Sequence, residues 1–143
     1  MTEVVRMVNL RRMRFLINRL PAARFRVDKA MANATRVTSV LTGMPRGSAS
    51  DDRMAENVIL LDLAKQARDQ IVTELEDMRK QLGPMIEALD VPLQKSAMRM
   101  RYIEGHSVRE IAYSLNYSEQ HIFRILTIAE RKIQKNESYE SNF

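Results

Sequence analysis

The residues with the most chemical content lie near the C-terminal end, in the run SEQHIFRILT at 118–127. Wound into a helix, this run puts Ser118, Glu119, Gln120, Phe123, Arg124 and Thr127 outward and Ile122 and Ile125 inward. The outward types can pair with the edges of nucleic-acid bases. Gln120 can donate to and accept from adenine N6 and N7. Arg124 can fork onto guanine O6 and N7 or clamp a phosphate. Glu119 can accept from cytosine N4, or only favour the helix dipole. Phe123 suits a thymine methyl or the face of a sugar. His121 stands beside these, either within reach of a phosphate or as an idle surface histidine. Arg99, Arg101 and Arg109 have the chemistry for backbone phosphates, which set register without reading sequence.

These side chains need a scaffold, and the surrounding punctuation supplies one. The stretch 92–133 divides into three helices. The first holds Met98, Met100, Arg101, Tyr102 and Ile103 and stops at Gly105, the residue type that best tolerates a left-handed cap. Ser107 caps the second, with Glu110 three residues on as a capping box. That helix is short, from Val108 to Leu115, and Asn116 can take the positive φ of a tight turn. Ser118 caps the third, which is expected to run to Ile133. This spacing fits a helix-turn-helix of the DNA-binding type. Ala112 stands where two helices must cross closely, and Ile111, Leu115, Ile122 and Ile125 stand where the last helix is locked onto its scaffold. An ordinary helical hairpin with a polar surface is the plainer alternative.

The segment RYIEGHSVREIAYSLNYSEQHIFRILTIAERKI resembles region 4 of the sigma-70 family, with its RY-x-x-G turn, short E-I-A-x-x-L helix and Ser-capped recognition helix. Upstream, TRVTSVLTGMPRGSASDDRMAENVILLDLAKQARDQI resembles small phage proteins of Gram-positive hosts that are read as late-gene transcription regulators. There a T-S-x-L-x-G-M-P-R-G loop and a long acidic helix precede a sigma-like helix-turn-helix. The resemblance spans roughly residues 30–133 and implies double-stranded DNA and RNA polymerase as partners. Asn116 departs from the glycine usual in such turns, and Gly83-Pro84 falls in a helix expected to be continuous.

The expected fold is all-α: an N-terminal helical arm with a long helix, followed by the sigma region-4-like helix-turn-helix. Four Gly and four Pro among 143 residues leave too few turns for a sandwich or barrel. The first helix is expected to open at Thr2-Glu3, with Met7, Leu10, Met13, Ile17 and Leu20 on one face, and to be interrupted by Pro21. A second helix carries Ala30, Ala34, Val37 and Leu41 and ends at the loop Gly43–Ser48. A long helix starts at Asp51-Asp52, with Val58, Leu61, Ala64, Ile71, Leu75, Met78 and Leu82 as its stripe. Gly83-Pro84 is expected to kink or end it, leaving Met85, Ile86 and Leu89 in a short helix. The expected divisions are 1–90 for dimerisation or partner docking, 91–133 for DNA binding, and 134–143 as a flexible tail.

The net charge of +5 is unevenly spread: +8 over residues 1–50, −5 over 51–90 and +2 over 91–143. A basic balance is the footprint of a polyanion. The basic helices suit the acidic one, within or between chains, and the long stripe points to a homodimer through the N-terminal helices.

No cysteine is present, so disulfides and thiolate chemistry are excluded. His106 and His121 lack partners for a triad or a metal site, and no phosphate-binding glycine loop stands after a strand. Neither an enzyme nor a cofactor is expected. No run reaches the length of a membrane span, and the N-terminus is unlike a secretory signal, so a cytoplasmic place is expected, in a bacterial host as the resemblance to phage proteins implies. Two rivals stay open beside the DNA-binding regulator. One is a sigma mimic that binds polymerase or a host factor without reading DNA. The other is a terminase small subunit.

Overall fold

The computed structural model describes residues 8–41 and 49–140. They form five α-helices and one π-helical turn, and no strand occurs among the described residues. The fold is all-α, with a long N-terminal helix.

Helix α1, Leu10–Leu41, opens after Asn9, whose Oδ1 accepts the backbone N–H of Arg12 at 2.9 Å. That bond satisfies one of the donors a helix start leaves open. α1 thus starts at Leu10; the start expected at Thr2-Glu3 lies outside the described residues. Pro21 lies inside α1, so the two helices expected on either side of it are one. An interior proline costs about 3 kcal/mol. Ile17 and Leu20 before it and Ala23 and Val27 after it are all buried, and each fully buried aliphatic side chain returns ~1.5–3 kcal/mol. Packing outweighs the lost hydrogen bond.

Helix α2, Ala49–Glu87, begins two residues before the expected Asp51 and contains Pro84. The expected break at Gly83-Pro84 does not occur. Leu82 and Ile86, on either side, are buried and hold the chain helical. Met85 and Ile86 belong to the last turn of α2, which Ala88 N–H to Pro84 O (3.1 Å) and Leu89 N–H to Ile86 O (3.0 Å) close. The Gly43–Ser48 loop lies outside the described residues.

Helix α3, Pro92–Met98, leads directly into the π-helical turn Arg99–Ile103. Helices α4, Val108–Leu115, and α5, Glu119–Glu140, follow, and α3 and α4 both pack on α5. Residues 134–140, expected as a flexible tail, continue α5. Their sequence has no Gly or Pro, and extending a helix already formed costs little.

Contacts divide the chain into two compact units, Met1–Ile17 with Leu75–Phe143 and Asn18–Glu74. α1 and α2 each contribute to both units.

In the first unit Met13, Leu75, Leu82, Met98, Ile111 and Ile122 are fully buried. Tyr102, also fully buried, gives its hydroxyl proton to Glu130 and accepts from Arg14 Nη1 at 2.8 Å. Arg14 also reaches Glu130 at 3.3 Å. Burial, and then the Glu130 carboxylate, push the Tyr102 phenol well above its ordinary value. The start of α1 is thereby tied to the π-helical turn and to α5.

The second unit is an antiparallel helical hairpin. Arg19, Ala22 and Ala23 of α1 lie beside Ala64, Ala67 and Ile71 of α2, while Ala30 and Asn33, farther along α1, lie beside Asn57 and Leu60. Alanines at the seam let the backbones approach. Leu61, Ala64 and Ile71 of the expected stripe are half-buried, but Val58 is exposed.

Among the described residues no helix is long and apolar enough to cross a membrane.

Candidate functional site

The site begins at Gly105, where the chain turns with φ +80°. His106 N–H donates to Met100 O at 2.9 Å and Glu104 N–H to Arg99 O at 3.0 Å, closing the π-helical turn. A Cβ on Gly105 would stand 3.6 Å from Arg79 Nη2 and 3.9 Å from Ile17 Cγ2, so space is not the obstacle; the left-handed φ is what requires glycine. Arg79 Nε donates to the Tyr102 carbonyl at 2.8 Å and Arg101 Nη1 to the His106 carbonyl at 3.0 Å. Both arginines brace the turn.

Ser107 caps α4 as the sequence predicts. Its Oγ accepts from Glu110 N–H at 3.2 Å, and the Glu110 carboxylate accepts in return from the Ser107 backbone. His106 Nδ1 lies 2.8 Å from Glu110 Oε2. The His106 bond first, and the Ser107 bonds with it, hold the Glu110 carboxyl below the usual carboxylate range. Ile111 and Ala112 are buried. Asn116 takes φ 59° and ψ 43°, the left-handed turn residue its type predicts. Tyr117 N–H then donates to Ala112 O at 3.0 Å, and Ser118 Oγ accepts from His121 N–H at 3.1 Å to cap α5.

On α5 the inward side is apolar: Ile122, Ile125, Leu126, Ala129 and Ile133 are buried. Ser118, Glu119, Gln120, His121, Phe123 and Arg124 are all exposed, so consecutive turns present a mixed polar and aromatic stripe. Thr127 is half-buried and spends its hydroxyl proton on Phe123 O at 2.8 Å, keeping only acceptor capacity.

The three candidate phosphate arginines fare differently. Arg109 is exposed on α4. Arg99 forms an ion pair with Glu87 at the end of α2, and Arg101 serves the His106 carbonyl. The aromatic groups of this surface go beyond Phe123. Tyr117 stacks on His121, centroids 4.9 Å apart and planes tilted by 30°, and Tyr113 is 87% exposed. The four-residue spacing of Tyr117 and His121, a residue before a cap against the first turn of its helix, is the signal that would have found the pair. Among the described residues no three His, Cys, Asp or Glu side chains are grouped as metal ligands.

Fold and site define an all-helical protein whose C-terminal helix is locked by its apolar side and shows a polar and aromatic stripe on the other. A family model described as a protein of unknown function, DUF1492, matches residues 40–134, and the chain belongs to that family. No curated protein and no solved structure matches it.

Proposed function

We propose that this protein is a sequence-specific DNA-binding transcription regulator, with α4, the Asn116 turn and α5 acting as a helix-turn-helix and α5 as its recognition helix. The observation that carries the reading is the two-sidedness of α5: Ile122, Ile125 and Leu126 buried, Gln120, Phe123 and Arg124 exposed. A helix fixed in this way can be set into a major groove without rearranging its core. Gln120 and Arg124 read base edges, and Arg109 contacts phosphate. Arg101 shapes the turn through its bond to the His106 carbonyl. The resemblance to sigma region 4 and to phage late-gene regulators supports RNA polymerase as a second partner and activation as the mode of action. Reading of two half-sites by a dimer is part of this proposal.

Selection from a pool of randomised duplexes, followed by fluorescence anisotropy across a salt series, tests it. The expected result is one enriched sequence whose log affinity falls linearly with log salt. Affinity that is equal for all duplexes would overturn the reading. The exposure of Tyr113, Phe123 and Ile128 favours a second reading, in which the same face docks a protein and the chain is a sigma mimic. Absence of DNA selection together with direct binding to purified RNA polymerase would favour it.

A further inference from the structure

The Asn18–Glu74 hairpin has an apolar face that its described residues leave uncovered. At about 100° per residue, Ile59, Leu60, Leu63 and Ala67 of α2 fall within about 100° of one another, next to the face that meets α1. Ile59, Leu60 and Leu63 are 59%, 52% and 55% exposed. With Leu60, Leu63 and Ala67 as its floor, a groove runs between the helices, and Arg26 and Lys29 of α1 form its rim. A contiguous exposed apolar surface of this kind marks a docking site.

We infer that its occupant is α2 of a second copy of this chain. The argument is charge complementarity along one helix face. Asp52 and Glu56 lie on the same face of α2 as Ile59, Leu60 and Leu63, one and two turns before them. The helix that offers the apolar residues therefore also carries two carboxylates, while the groove carries two cations. Among the described residues none of Arg26, Lys29, Asp52 and Glu56 forms an ion pair. The wider composition agrees. Residues 18–41 hold five Lys/Arg against one acid, and residues 49–74 hold six acids against three Lys/Arg.

The hairpin is antiparallel, with Arg26 beside Ala64 and Lys29 beside the stretch from Asn57 to Leu63. An antiparallel pairing of two α2 helices about an axis near Ile59 brings the partner's Asp52 and Glu56 level with Arg26 and Lys29. The contact is isologous: each copy is both groove and guest, so the association closes at two. The result is a four-helix core in which both apolar faces of α2 are covered. This surface extends the dimeric reading above, and its test needs no DNA, so its failure leaves recognition by α5 untouched.

Light scattering coupled to gel filtration of the full chain at micromolar concentration is expected to give twice the 16.6 kDa chain mass. Arg26→Glu/Lys29→Glu and Asp52→Lys/Glu56→Lys are each expected to run as helical monomers, because each self-pairing sets like charges together. Their equimolar mixture is expected to recover the dimer, since both contacts then pair opposite charges. A monomeric wild-type chain overturns the inference, and so does a mixture that stays monomeric while circular dichroism shows both variants helical. Leu63→Asp repeats the test without altering the rim, at a position exposed in the single copy. It is expected to abolish the dimer, and persistence of the dimer overturns the inference.

Discussion

The unit that holds α3, α4 and α5 and the hairpin unit are built on the same two long helices, yet they treat apolar residues in opposite ways. In the first, Leu75 and Leu82 of α2 are fully buried; in the second, Leu60 and Leu63 of the same helix are more than half exposed. The apolar content of α2 does not explain the contrast. What differs is the number of neighbours. One stripe needs one covering element, and a helix apolar on two faces needs two. The first unit supplies covering elements from α1, α3, the π-helical turn, α4 and α5, and among the described residues the hairpin supplies only α1.

The contrast can be broken by placing the same charge in each unit. Leu75→Asp is expected to have the largest effect, a loss of more than about 4 kcal/mol, because a carboxylate is left buried without a partner. Thermal denaturation followed by circular dichroism should show the cooperative transition of the first unit abolished. A melting curve like the wild type's would mean that Leu75 is not a core residue.

Ala112→Leu comes next. It adds bulk where α4 is buried against its neighbours, and overpacking costs ~1–3 kcal/mol. Melting temperature and DNA binding should fall together. Arg124→Ala is expected to weaken specific DNA binding by ~1–3 kcal/mol and to relax preference at one base position, with the melting curve unchanged. Anisotropy against duplexes varied one base at a time measures this, and unchanged affinity for all of them would remove Arg124 from the interface.

Tyr102→Phe is expected to cost about 1–2 kcal/mol, less than a full charged hydrogen bond, since Arg14 and Glu130 still face each other. It should also change the alkaline limb. The folded phenol holds its proton to higher pH than the unfolded one. Its contribution is therefore fully present below the unfolded value of about 10 and is lost as pH rises from there toward the folded value. Denaturant titrations on both sides of that pH should show a shallower loss in Tyr102→Phe; equal slopes would mean that the buried phenol plays no part. The smallest effect belongs to Leu63→Asp. Diluted until the chain is monomeric, it should alter stability by no more than about 0.5 kcal/mol, against the loss expected at Leu75.

Much of the local structure around the candidate site was legible in single residues. Gly105 and Asn116 announce the two left-handed positions, and Ser107 and Ser118 announce two caps, because these depend on the conformational preferences of one residue and its near neighbours. The inward side of α5 followed from periodicity for the same reason. Arg101 was read as a phosphate ligand from its type, and Thr127 as outward from its place on the helix face. Their engagement with His106 O and Phe123 O depends on where the side chain points, which type does not specify.

Short-range properties alone were enough to show that the protein is helical, that the chain turns at Gly105 and Asn116, and that Ile122 and Ile125 of α5 face inward. Pro21 and Pro84 were misread because their local cost is real; burial on both sides decides that the helices continue, and burial depends on residues distant in the chain. Tertiary structure alone decided that Arg14, Tyr102 and Glu130 meet across 116 residues. It also decided that the start of α1 belongs with α5, and that the described residues of the hairpin leave one face of α2 exposed. A helix's sequence shows which faces are apolar; only the arrangement of the other helices shows which of those faces find a partner.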